Sequence, residues 1–168
     1  MGVRGVLMAR MQVRGIDEYS SKIRKLSRNS NRIIERGIYV GAGIVANSIK
    51  SGLQNLPVEN GFGTEENKLT GVSRRQKSDL IKSMGLAPIR HQANGYINTK
   101  VGWDGYGSIP TKTYPKGVPN QLLMRSVESG TSFRKKTPVI RKSVNRVKEA
   151  AVKEMAAVVD EELRKEFK

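Results

Sequence analysis

Side chains able to do covalent or acid-base chemistry are sparse in this 168-residue sequence. Cysteine is absent, which excludes thiolate nucleophiles, thiolate zinc sites and disulfide frameworks. The single histidine, His91, has no companion at metal-ligand spacing and reads as an ordinary strand residue. Carboxylates cluster as Glu65-Glu66 and as Asp160-Glu161-Glu162, and neither cluster has a recognisable nucleophile beside it. The glycine segments G-F-G-T from Gly61 and T-G-V-S from Thr70 lack the glycine-lysine spacing of a nucleotide loop. The expectation is a protein that is not an enzyme and holds no cofactor and no metal.

Positive charge is what the sequence supplies in quantity. Lysine and arginine total 31 against 15 acidic residues, a formal net charge of +16. Such a balance opposes a compact isolated monomer through self-repulsion and favours anionic partners, whether nucleic acid, an acidic protein face or an anionic membrane surface. The candidate partner or DNA contacts are Arg74, Arg75 and Lys77 at the end of a loop, Lys112 and Lys116 among Tyr106 and Tyr114, the run Arg134, Lys135 and Lys136, and Arg141 with Lys142. The run at 134–136 precedes a helix whose first N–H groups have no partner within it, so positive charge there is locally unfavourable. Either an outside anion or acidic partner compensates it, or the run is simply solvated.

Periodicity predicts an α+β fold: long N-terminal and C-terminal helices packed on a small antiparallel sheet, with long extended loops. One domain spanning 1–168 fits the length, and an apolar share of 37% with 5% aromatics predicts a small core supported by neighbours in an oligomer. Residues 1–15 alternate apolar and polar and form a strand or arm. From Asp17, read as the cap, apolar residues recur at spacings of three and four as far as Pro57, and Gly41-Ala42-Gly43 is either a close helix crossing or a soft spot. Residues 57–77 form a long loop, followed by a short helix capped by Ser78 and stopped by Gly85. A hairpin joins Ala87–Gln92 to Tyr96–Trp103 through Asn94-Gly95, with Trp103 as a core or interface anchor. Residues 104–120 form a second long loop. Asn120 then caps a helix that turns Leu122, Leu123 and Val127 inward and ends at Gly130. Thr137 and Pro138 open the last helix, whose Val144, Val147, Ala151, Met155 and Leu163 line one face, packed on the first helix.

No run approaches the roughly 18 apolar residues that span a bilayer, so a soluble chain without a membrane partner is expected. Basic residues scattered through the N-terminal segment make it a poor secretory signal.

The junction from Val127 through Val144 carries a resemblance. Val127, Glu128, Gly130, Thr131 and Ser132, then a spacer, Pro138 and Arg141 at the start of a long helix, resemble the head-tail joining, or tail-completion, proteins of long-tailed bacteriophages. A T-G-x-x-R segment at Thr70 to Arg74 and the order of elements also fit; the chain has Ser129 where that family usually has an aromatic residue. The resemblance implies a structural virion protein of the neck, a homo-oligomer forming a hexameric ring between the head connector and the tail-terminator or tail-tube proteins. It also implies contact with genomic DNA in the lumen, and a location in the virion neck or tail after assembly in the host cytoplasm. The alternative is a small basic nucleic-acid-binding protein, which the charge supports although no helix-turn-helix, zinc-finger or aromatic RNA-binding motif accompanies it.

Overall fold

A computed structural model describes residues 16–167, so the arm expected over residues 1–15 lies outside the described part. The architecture is α+β. Helix α1, Ile16–Gln54, runs 39 residues without a break, about 58 Å at 1.5 Å per residue. Helix α4, Val139–Glu166, lies antiparallel against it: Gly52 faces Val139 and Ser143 at one end, and the Asn29 side-chain amide donates to Glu166 at 2.9 Å at the other.

The two helices meet closely because α1 places small residues on the shared face. A Cβ added at Gly41 would lie 2.4 Å from Met155 Cγ, one at Gly37 2.9 Å from Val159 Cγ2, and one at Gly52 2.7 Å from Val139 Cγ1. Ser48 continues the same face and donates through its hydroxyl to the Ser143 carbonyl at 3.2 Å. Of the two readings of Gly41-Ala42-Gly43, the crossing holds at Gly41, while Gly43 faces open space and the helix does not break. Beyond the crossing, Arg36 pairs with Glu162 at 2.9 Å and Lys25 with Glu166 at 3.1 Å. The acids at the C-terminal end of α4 oppose its dipole. Arginine and lysine of α1 offset that cost.

The core sits at the other end of the helical pair. Ile49, Leu53 and Leu56 converge there with Val72, with Leu80 of α2 (Arg74–Ser83), with Leu123, Met124 and Val127 of α3 (Asn120–Ser129), and with Val139. Helix α2 starts earlier than expected. Ser73 accepts from the Gln76 N–H while the Gln76 side chain accepts from the Ser73 N–H, a reciprocal cap that displaces Ser78 from that role and shortens the preceding loop to end at Ser73.

The hairpin also begins earlier, at Met84. Strand β1 (Met84–Leu86) pairs antiparallel with β4 (Val101–Trp103), and further out β2 (Arg90–His91) pairs with β3 (Ile97–Asn98). Gly85, expected to stop a helix, is instead paired with Gly102. At the tip only Gly95 takes positive φ, at 79°, and its N–H donates to the Gln92 carbonyl at 2.9 Å. Trp103 packs against the core and its ring N–H donates to the Leu80 carbonyl at 3.0 Å. His91 lies 2.6 Å from a Glu35 carboxylate oxygen, which fixes the tip to α1.

Asn120 does not cap α3. It is the first residue of the helix, is buried, and its side-chain amide donates to the Asp104 carbonyl at 2.8 Å, closing the base of the loop over 104–119. Leu123, Met124 and Val127 point inward, whereas Leu122, expected with them, is exposed because the inward face of the helix is already filled.

The two neighbouring glycines of α1 should respond oppositely to a side chain. Gly43→Ala is expected to gain up to about 1 kcal/mol of helix propensity, raising the thermal midpoint by roughly 2–4 °C. Gly41→Val drives a branched side chain into Met155 and is expected to cost about 1–3 kcal/mol. Thermal melts of both variants followed by circular dichroism check the sign.

Candidate functional site

The junction between α3 and α4 is built around one carboxylate. Gly130, at φ 77°, lets the chain leave α3 while its N–H donates to the Ser126 carbonyl at 3.0 Å. Thr137 does not cap the next helix through its side chain: its N–H donates to the Val127 carbonyl at 2.7 Å, and Pro138 stands just before α4 and not inside its first turn. Glu128 of the preceding helix supplies the cap. Its carboxylate accepts from the N–H of Ile140 at 2.8 Å and of Arg141 at 3.1 Å, and from the Arg141 guanidinium at 3.4 Å. The negative charge that α4 needs at its start therefore comes from within the chain.

Arg134 is likewise turned inward. It is 5% exposed, one guanidinium nitrogen donates to the Gly71 carbonyl, and the other lies 3.5 Å from the Gln76 side-chain oxygen. It braces the loop before α2 and is not a surface contact, as the basic run had suggested. Burial lowers its pKa and the Glu59 carboxylate partly restores it. Glu59 holds the N–H side of the same residue, Gly71. One of its oxygens accepts from the N–H of Thr70 at 2.6 Å, the Thr70 hydroxyl at 2.9 Å and the N–H of Gly71 at 2.9 Å. The T-G segment is thus an anion nest already filled by the protein's own carboxylate.

The remaining cations fall into separate places. The Lys77 ammonium donates to the Leu56 carbonyl at 2.8 Å, beyond the end of α1, and so has an internal role. Arg74 and Arg75 are exposed in the first turn of α2. Lys112 and Lys116 are exposed on the loop over 104–119, which Asp79 holds by accepting from the Ser108 N–H at 2.8 Å and hydroxyl at 2.9 Å. Arg141 and Lys142 are exposed on the first turn of α4. Lys135 and Lys136 come together with Lys68, Ser129, Gly130 and Thr131 around one open concavity, with Arg134 in its wall. Lys68 had no sequence signal, because it arrives from 67 residues before Lys135. The hydrogen bond from the Lys135 N–H to the Leu69 carbonyl at 2.9 Å brings it there.

Of the motif-like residues, Val127 is in the core, Glu128 and Gly130 make the bonds above, and the Thr131 N–H donates to the Arg134 carbonyl at 2.9 Å. Ser132 is exposed. Among the described residues no three of histidine, aspartate and glutamate gather at metal-binding distance, and no helix is long and apolar enough to cross a membrane. Comparison with protein-family models, with curated proteins and with solved structures finds no match to this chain.

Glu128→Ala leaves two first-turn N–H groups without their acceptor and is expected to cost about 2–3 kcal/mol. Arg141→Ala, on the exposed side of the same pair, should cost under about 1 kcal/mol; urea unfolding distinguishes them. The pH dependence has one sign at its acidic end. The Thr70 N–H holds the Glu59 carboxyl below the usual range, Lys165 does so for Glu161 and Glu162, and Lys25 for Glu166. These groups keep their charge in the folded state to lower pH than in the unfolded chain, which therefore binds more protons as acid is added. Stability present at neutral pH should fall progressively between about pH 5 and about pH 2, and Glu59→Gln should flatten that fall in urea midpoints measured across the range.

Proposed function

We propose that this chain is a structural virion protein of a phage neck, forming a ring that joins the tail tube to the head connector. The observation that carries the reading is the role of the motif-like junction: Glu128, Gly130 and Thr131 set the angle at which a long helix leaves the body. In a joining protein that angle governs how a rigid helical pair is presented to neighbours. Phe62, fully exposed, and Phe133, about half exposed, on the two loops beside the junction further support contacts with other proteins, since a fully exposed phenylalanine such as Phe62 gains nothing within this chain. The acidic faces of neighbouring rings are the natural counterpart for much of the excess positive charge, with genomic DNA in the lumen a further one.

Electron microscopy of lysates from a phage lacking this gene tests the reading. Full heads beside complete, unattached tails are the expected result. Intact, infectious particles would exclude the joining role and leave a small basic nucleic-acid-binding protein as the alternative.

A further inference from the structure

The concavity beside the junction has a composition that the rest of the described surface does not explain. Lys68, Lys135 and Lys136 line it, and none of the three pairs with a carboxylate among the described residues. Arg134 adds a fourth positive charge in the wall. Its Nε is buried without an acceptor among the described residues, its terminal nitrogens contact a carbonyl and an amide oxygen, and the Glu59 carboxylate offsets its charge in part without a direct ion pair. Among the described residues, no acidic one lines the concavity. The opposing charge close by is the C-terminal end of α3, equivalent to about half a negative charge. Two carboxylates of the adjoining segments are committed elsewhere, Glu128 to the start of α4 and Glu59 to Thr70 and Gly71, and exposed Glu65 and Glu66 precede Lys68 in the chain without lining the concavity.

We infer that this concavity is an anion site for phosphate groups of a nucleic-acid backbone. Phosphate is favoured over a protein carboxylate by the donors. Planar carboxylates are matched by the exposed fork of an arginine, and here the arginine fork is turned inward. What faces solvent is the lysine side chains, Lys135 and Lys136 exposed and Lys68 half-buried, with the exposed Ser129 hydroxyl beside them, while the Thr131 hydroxyl is buried in the wall; point charges and a hydroxyl suit a tetrahedral oxyanion. The openness of the site suits a phosphate carried on a polymer that passes across it. The loop is held before any ligand arrives, by the bonds from Lys135 to Leu69 and between Thr131 and Arg134. Little ordering cost accompanies binding. This chemistry does not depend on assembly into a virion.

The test is the salt dependence of binding of the full chain to a short DNA duplex of random sequence, measured by fluorescence anisotropy between about 50 and 200 mM salt. Two charge-matched triple variants are compared, Lys68→Gln/Lys135→Gln/Lys136→Gln at the site and Arg24→Gln/Arg28→Gln/Lys50→Gln on exposed positions of α1. Circular dichroism establishes that each is folded. The site variant should make the slope of log K against log salt shallower by about 2.7, three contacts at about 0.9 each, while the α1 variant changes it by less than about 1. Equal changes in the two variants, or none in the site variant, would overturn the assignment. Polyglutamate that binds more tightly than the duplex, and loses that binding in the site variant alone, would overturn phosphate in favour of carboxylate.

Discussion

The structure depends on carboxylates that bind backbone N–H groups. Glu128 holds the start of α4, Glu59 holds Thr70 and Gly71, and Asp79 holds Ser108. Each joins segments far apart in sequence or fixes a loop that carries no regular structure. A carboxylate accepting several such bonds gives strong, charge-assisted contacts without requiring a large apolar core. That matters here, because aromatic residues make up 5% of the chain and the buried apolar cluster occupies one end of it.

This use of acids shapes the surface. With 15 acidic residues against 31 basic ones, each carboxylate engaged with the backbone leaves a lysine or arginine without a nearby counter-charge. At the outer end of the helical pair the balance is restored locally, since Glu162 and Glu166 of α4 meet Arg36 and Lys25 of α1. At the core end it is not. Glu128 and Glu59 are both turned into the fold there, and the cations left around them face solvent. The electrostatic character of the molecule is therefore polarised along its length, and the polarisation follows from how the fold is tied together.

Periodic features were legible in the sequence and the ties were not. The two long helices follow from apolar spacing, and Asn94-Gly95 located the hairpin tip. The start of α2 has a local signature too, since Ser73-Arg74-Arg75-Gln76 is a capping-box pattern, although the apolar residues that mark the helix follow only after Ser78. By contrast, Glu128 capping a helix that begins eleven residues later, across a turn of the chain, has no local signature, because caps are ordinarily sought within three residues of the helix start. Arg134 is the clearest case. In a run with Lys135 and Lys136 it looks like surface charge, yet backbone pairing with Leu69 rotates it under the loop and leaves its neighbours outside. Strict alternation would turn Lys136 inward with Arg134, but Lys136 is exposed like Lys135, so only the backbone pairing says which of the three basic residues is buried.

The same pairing connects rigidity with charge. Leu69 donates to the Phe133 carbonyl and accepts from the Lys135 N–H, so the two loops move as one body with Arg134 between them. A flexible basic loop would lose conformational freedom on meeting an anion, whereas this one has lost it on folding. The energetic cost of burying Arg134 beside a solvent-facing cluster of lysines is thus carried by the fold in advance. An anion in the concavity relieves that repulsion without reorganising the loop, which couples stability at the junction to occupancy of the site.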